Sequence, residues 1–306
     1  MARAAGLDWC SVKNFARLCA AAAVVAFGAA VMGSWTRING AGMSCPDWPT
    51  CLGVWFPSLA GGTLWEWSHR LLVLCEAPLV AAVVAAGWRM RFPARLPLLG
   101  LVAALFGAQV FLGAATVHES NSPMSVVLHW GTAMAFIATL TVVAILAHEA
   151  GAASDERRGS RLVLAALSVT ALLAFATMCV GAYVSSSGAG LACLSIPGCA
   201  GQVIVYGSGQ FVQMLHRTIA GATLLSGAAA LAVTLVRGSV RVRWACGLGA
   251  SLLFGQIVLG LLNVSLHLPM LLREAHAANA AATFLAFVAA TALTATERFP
   301  MQATAL

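Results

Sequence analysis

Gly33-Ser34-Trp35-Thr36-Arg37-Ile38-Asn39-Gly40-Ala41-Gly42-Met43-Ser44-Cys45, followed by Pro49 and Cys51, has a counterpart 148 residues further on. That counterpart is Gly181-Ala182-Tyr183-Val184-Ser185-Ser186-Ser187-Gly188-Ala189-Gly190-Leu191-Ala192-Cys193, followed by Pro197 and Cys199. The register holds along the whole stretch. Each copy follows a long apolar run and leads to a His-Arg pair, His69-Arg70 in the first half and His216-Arg217 in the second. A further histidine stands 60 residues after each of these, as His129 and His276. A chain whose halves repeat in this way is two copies of one structural unit.

The apolar runs between these markers say what the unit is. Of the 306 residues 60% are hydrophobic and only 9% charged, with a mean hydropathy of +0.89. A soluble surface takes about 25% charged residues, so most of this surface faces lipid. Eight runs lie near the ~20 residues needed to cross a bilayer core: Phe15–Trp35, Leu64–Trp88, Leu96–Thr116, Met124–His148, Leu162–Val184, Phe211–Val236, Val242–Val264 and Leu271–Thr294. The expected fold is an all-α integral membrane protein whose eight transmembrane helices form two parallel four-helix-bundle repeats, residues 1–150 and 151–306. Equivalent positions are four helices apart, an even number, so the halves share one orientation about an axis along the membrane normal. The basic segment Asp155 to Ser160 links them. The first run is too long for a signal sequence core and reads as a retained helix.

The net charge of +7 does not point to nucleic acid, because the basic residues lie in short clusters between apolar runs. Arg3, Lys13, Arg17, Arg89, Arg91, Arg95, Arg157, Arg158, Arg161, Arg237, Arg241, Arg243 and Arg298 fall on one face, against Arg37, Arg70, Arg217 and Arg273 on the other. The richer face is the cytoplasmic one, which places both termini in the cytoplasm.

His69, His129, His216 and His276 all lie one to two turns inside helices that start at the outer face. At 1.5 Å per residue all four lie at a similar depth, roughly 5–12 Å below their helix starts. Ionisable residues inside a membrane are costly and mark function. Imidazoles on two helices running in the same direction clamp a flat macrocycle from both sides and suit haem iron. Zinc sites favour close local spacing and cysteine ligands, which these histidines lack. His118 and His267 stand in corresponding outer loops, either simply exposed or assisting propionates or a proton path; His148 lies at a cytoplasmic helix end.

Cys45 and Cys51, and likewise Cys193 and Cys199, lie in outer loops where the compartment is oxidising. Each pair reads as a disulfide, either a staple shaping a lid or a redox-active pair. Cys10, Cys19, Cys75, Cys179 and Cys246 read as small apolar packers. Glu66 precedes His69 by three residues and shares its helix face, where it can accept protons, steady a cationic intermediate or merely cap the helix start. Its counterpart three residues before His216 is the neutral Gln213. That difference marks the first half as the reactive one and its partner as a holder. Glu76 lies deeper in the same run with no evident partner. Arg70, Arg217 and Arg37 are candidates for haem propionates or for interfacial anchoring.

Taken together, Thr36-Arg37 through Cys51, Glu66 with His69-Arg70, Gly188 to Cys193, and His216-Arg217 give the whole chain a resemblance to the haem A synthases. That resemblance implies haem B as cofactor on His216 and His276, and haem O as substrate near His69 and His129, with Glu66 needed for activity. It implies oxidation of a haem O methyl group to the formyl of haem A by successive hydroxylations. The expected setting is a bacterial inner membrane, with a haem O synthase as donor and cytochrome oxidase assembly factors as recipients. Members that keep the cysteine pairs are matched in both loops, although the second loop reads Leu194-Ser195-Ile196-Pro197 against Pro46-Asp47-Trp48-Pro49. Competing readings are a bis-histidine haem electron carrier oxidising quinol, a membrane thiol oxidoreductase acting through the outer cysteines, and a haem transporter. The sequence leaves open the electron donor, the source of oxygen and any homo-oligomer.

Overall fold

The computed structural model describes residues 9–151, 159–199 and 207–297. Arg3, Asp155, Arg157, Arg158 and Arg298, used above for orientation and linkage, lie outside them. Among the described residues there are eight long helices: α1 (Trp9–Ile38), α2 (Gly62–Gly87), α3 (Arg95–His118), α4 (Pro123–Gly151), α5 (Arg161–Ser186), α6 (Ser208–Arg237), α7 (Val240–Ser265) and α8 (Met270–Ala295). All eight are long and apolar enough to cross a membrane, and the chain is a multi-pass membrane protein of the all-α class.

Helix starts follow local chemistry. Pro123 takes the first position of α4, where its missing N–H is not needed, and Pro269 directly precedes α8. Ser160 caps α5 by accepting the Val163 N–H. Several helices overrun the apolar spans. α1 begins at Trp9 and α6 at Ser208, because backbone hydrogen bonding continues into the polar interface where hydropathy has already fallen.

In the first half, α1 packs on α2, α2 on α3, α3 on α4 and α4 back on α1; α5 to α8 close in the same cyclic order. The halves meet through α4 against α5 and α8, and through α1 against α8. α4 and α8 are the most buried helices, and α3 and α7 the least. One core gathers Phe15, Cys19, Val83, Met134, Ile137 and Leu140 of the first half with Met178 and Phe284 of the second. A smaller core around Leu167, Leu253 and Phe287 fills the second bundle. Aromatic packing within this shared core includes Phe175 of α5 against Phe284 of α8, centroids 5.5 Å apart. Large apolar side chains such as Leu74, Phe111, Leu225 and Phe254 are left exposed, as a lipid-facing surface requires. Cys75 is exposed rather than packed in the interior, unlike Cys19 and Cys246.

The repeat extends to the loops. The turn between α3 and α4 holds Ser120 and Asn121 at positive φ, and that between α7 and α8 holds His267 and Leu268 likewise. Asn121 donates to the Gly42 carbonyl, while Leu268 packs on Gly190, the counterpart of Gly42. Each of these turns thus touches the cysteine loop of its own half. His118 proves to be the last residue of α3 and His267 follows the end of α7; both are exposed.

Candidate functional site

His69, His129, His216 and His276 sit six to eight residues inside α2, α4, α6 and α8, or about 9–12 Å along each axis. Their surroundings repeat as strictly as their spacing. Nδ1 of His69 lies 2.9 Å from the Ala29 carbonyl on α1, and Nδ1 of His216 lies 3.1 Å from the Thr177 carbonyl on α5. Histidines that bind metal through one nitrogen typically donate the other N–H to such a carbonyl, which fixes tautomer and ring orientation. His69 and His216 are thereby set to present Nε2. Gln109 donates to the carbonyl of His129, and Gln256 to that of His276, from the adjacent helices α3 and α7. Nδ1 of His129 and of His276 is buried with no partner, while Nε2 of His276 lies 3.1 Å from the Gln256 amide nitrogen.

Each ring also rests on a glycine of the neighbouring helix. A Cβ added at Gly33 would come within 2.8 Å of His69, at Gly181 within 2.9 Å of His216, at Gly260 within 3.3 Å of His276 and at Gly113 within 3.4 Å of His129. His69 and His129 are within electrostatic range of each other, and so are His216 and His276. Among the described residues, no three His, Cys, Asp or Glu side chains converge on one point. A bis-imidazole macrocycle fits these features: paired rings, backs against bare backbone, and orphan ring nitrogens. The glycine and glutamine supports were not singled out from the sequence as such, although Gly113/Gly260 and Gln109/Gln256 recur at the histidines' own shift and Gly33/Gly181 at that of the cysteine loops.

Above the histidines lie the two cysteine loops, each closed by a disulfide, Cys45–Cys51 and Cys193–Cys199. All four sulfur-bearing residues are buried, none more than 2% exposed. The peptide bonds before Pro49 and Pro197 are both cis. Glu66 and Gln213 do the same work on these loops. Glu66 Oε2 accepts the Cys45 N–H at 2.8 Å, and Gln213 Oε1 accepts the Cys193 N–H at 2.5 Å. The other Glu66 oxygen pairs with Arg70 at 2.7 Å, and the other Gln213 atom donates to the Gly190 carbonyl. Both oxygens of the acid are therefore engaged.

Arg70 donates to the carbonyls of Cys45, Asp47 and Thr50, and Arg217 to those of Cys193, Ser195, Pro197 and Gly198. These guanidiniums spend their N–H groups on loop backbone. Asp47 closes the first loop from within. The Thr50 hydroxyl, then the N–H groups of Gly53 and Leu52, hold its carboxyl down to about 2.

Arg37 lies elsewhere, at the boundary of the halves. It donates to Ser185, its own counterpart in the repeat, at 3.0 Å. Nearby, Ser34 of α1 donates to Glu274 of α8 at 2.9 Å, and the other oxygen of that buried acid has no partner. A cavity of about 360 Å³ opens here, lined by Phe27, Gly28, Val31, Met32, Trp35, Trp65 and Glu274. Glu274 was not anticipated. It has no acidic counterpart in the first half, where the equivalent residue is Val127, so the repeat gave no signal for it. Glu76 is the remaining buried acid of the first bundle, 3% exposed, with neither oxygen partnered.

Residues 59–288 match the family described as cytochrome oxidase assembly protein, a stretch that takes in Glu66 and all four histidines. The chain is similar to the heme A synthase of Bacillus licheniformis, 28% identical over 260 residues covering 80% of this chain and 84% of that protein. Similarity to the heme A synthase of Shewanella oneidensis is 26% over 307 residues, covering 84% of this chain and 90% of the other. A shorter match, 28% identical over 133 residues, links 43% of this chain to 29% of the protoheme IX farnesyltransferase of Halobacterium salinarum.

Proposed function

This chain belongs to the family of cytochrome oxidase assembly proteins, and we propose that within it the protein is a haem A synthase, oxidising a methyl group of haem O to the formyl of haem A. The observation that carries the reading is the doubled imidazole pair with its glycine cradles, anchored Nδ1 atoms on His69 and His216, and orphan Nδ1 atoms on His129 and His276. In this reading residues 151–306 hold haem B between His216 and His276, and residues 1–150 receive haem O between His69 and His129. Haem B, when bound, supplies an iron that carries electrons by changing oxidation state.

The protein's own groups position and enclose. The Ala29 and Thr177 carbonyls fix the tautomers of His69 and His216. The disulfide loops close the outer ends of both bundles and exclude water. Glu66 locks the first lid to α2 through Cys45 and Arg70, and its contribution to turnover is to hold that lid over the substrate. Because the guanidiniums of Arg70 and Arg217 are spent on loop carbonyls, they act on propionates only through the loops they hold. Arg37 reaches across the boundary of the halves to Ser185. The buried sulfurs favour structural staples over a cycling thiol pair.

The protein sits in the inner membrane with both termini cytoplasmic. Its substrate comes from a haem O synthase, a step in keeping with the likeness to a protoheme IX farnesyltransferase. Its product passes to cytochrome oxidase assembly. The test is to express the chain together with a haem O synthase, extract the haems and separate them by mass. Haem A should appear only when this chain is present and vanish with His69→Ala. Haem O left unconverted beside bound haem B would move the function to an electron carrier.

A further inference from the structure

Glu76 lies seven residues beyond His69 on α2, two turns of helix, which puts both on one face. That face continues through Val80 and Val83 into the core of the first bundle. Glu76 is 3% exposed, and neither of its carboxyl oxygens has a partner. An ionised carboxylate in such a place is unsupported, and a protonated one lacks an acceptor for its O–H. Buried polar groups in proteins are paired as a rule, and an exception calls for an explanation, of which a group brought by a ligand is one.

The second half shows what the position becomes when nothing further is needed. The counterpart of Glu76 is Thr223. Its hydroxyl donates to the Ile219 carbonyl or shares a 2.8 Å bond with Thr177 Oγ1. The second bundle is complete by itself at this point, and the first is not.

We propose that Glu76 is the specificity residue of the first half, binding the hydroxyl that distinguishes haem O from haem B. The inference rests on the assignment of haem O to the His69 and His129 pair. Haem B carries a vinyl group where haem O carries a hydroxyl-bearing farnesyl chain; the two macrocycles otherwise present the same rim there. Glu76 is about 10 Å along α2 from His69, too far to meet the iron and suited to a substituent at the buried edge of the ring. A carboxylate accepts the hydroxyl proton in a hydrogen bond, and a carboxylic acid donates to the hydroxyl oxygen, so the contact holds in either state. Thr223, already satisfied, offers the second half no such contact, in keeping with a cofactor that has no hydroxyl at that edge.

The test uses the full-length protein in detergent, with haem B retained in the second half as the measure of folding. Haem O and haem B are titrated separately and followed by their visible absorption. In Glu76→Thr, which copies the second half, the ratio of haem O to haem B affinity should fall about tenfold, the range expected for one lost hydrogen bond to an ionisable group. The affinity for haem B should stay constant. Glu76→Gln, which keeps an acceptor and a donor, should restore most of the ratio. An unchanged ratio in Glu76→Thr, or equal weakening of both haems, overturns the assignment. Haem O binding that survives His69→Ala in the otherwise native protein would instead overturn the placement of substrate in the first half.

Discussion

A methyl group at Gly181 would stand 2.9 Å from Cε1 of His216, and one at Gly260 3.3 Å from Cε1 of His276. The first separation forces the ring aside, whereas the second is met by a few tenths of an ångström of movement. Gly181→Ala should therefore strip haem B from the purified protein, with overpacking worth about 1–3 kcal/mol, and Gly260→Ala should leave most of it in place. Haem content per chain, read by absorption, checks the pair of variants. Asp47 gives a prediction in pH. Its carboxyl is lowered from an ordinary value of 3.8 to about 2, so its hold on the first loop is fully present above 3.8 and disappears as pH falls through 2. Reduction of Cys45–Cys51 by a water-soluble phosphine should run at a flat rate from pH 8 to pH 5 and accelerate only in strong acid. An acceleration near pH 6 would place the loop's anchor on another group. The places of the four histidines were legible because the same 60-residue spacing between histidines stands in both halves. The hold of Glu66 on the first loop was not: its pairing with Arg70 is an ordinary i,i+4 contact, but its other partner is the Cys45 N–H of a loop whose path no local pattern encodes.

Arg217 illustrates how an element is held by one side chain. Its planar fork reaches four carbonyls around the second disulfide loop, a geometry the single ammonium of lysine does not reproduce. Arg217→Lys should open that loop, and the Cys193–Cys199 bond should be reduced about tenfold faster by an impermeant thiol, since each lost charged hydrogen bond is worth about 1.5–3 kcal/mol. An unchanged rate would mean that Gln213 alone carries the loop. Helix count and order were readable from hydropathy. The ends were not: α1 runs from Trp9 to Ile38 where the apolar run spans Phe15–Trp35, since hydropathy measures where lipid stops and hydrogen bonding sets where the helix stops. The sequence pattern likewise placed Cys75 among the interior residues. Exposed Cys75 shows why that fails in a membrane, where the lipid-facing side of a helix is as apolar as the core side.

At the scale of the molecule, the boundary between halves carries polar groups that an apolar-run analysis does not see. Ser34 and Glu274 are bonded across it while buried, and Arg37 lies within electrostatic range of the same acid. Glu274→Ala should lower the stability of the whole chain by about 2 kcal/mol, the range for leaving buried donors unsatisfied, whereas Glu274→Gln, which still accepts from Ser34, should be close to neutral. Thermal unfolding in detergent distinguishes them; equal loss in both would assign the effect to charge rather than to the bond. That two equivalent bundles exist was plain from the repeat. How they dock was not, because a repeat says which helices correspond and not which of their faces meet; the boundary joins α4 to its counterpart α8 and, in two equivalent contacts, α1 to α8 and α4 to α5.

Arg37 and Ser185 occupy the same place in the two copies, and they touch. Two equivalent positions can meet only where the rotation axis relating the copies passes between them. Had both copies been separate and identical chains, that residue would have faced its own image, and two arginines there would have repelled each other. Serine on one side removes the clash and gives the surviving arginine an acceptor. The joint is therefore one that two identical copies could not make: the contact at the axis requires the two sides to differ.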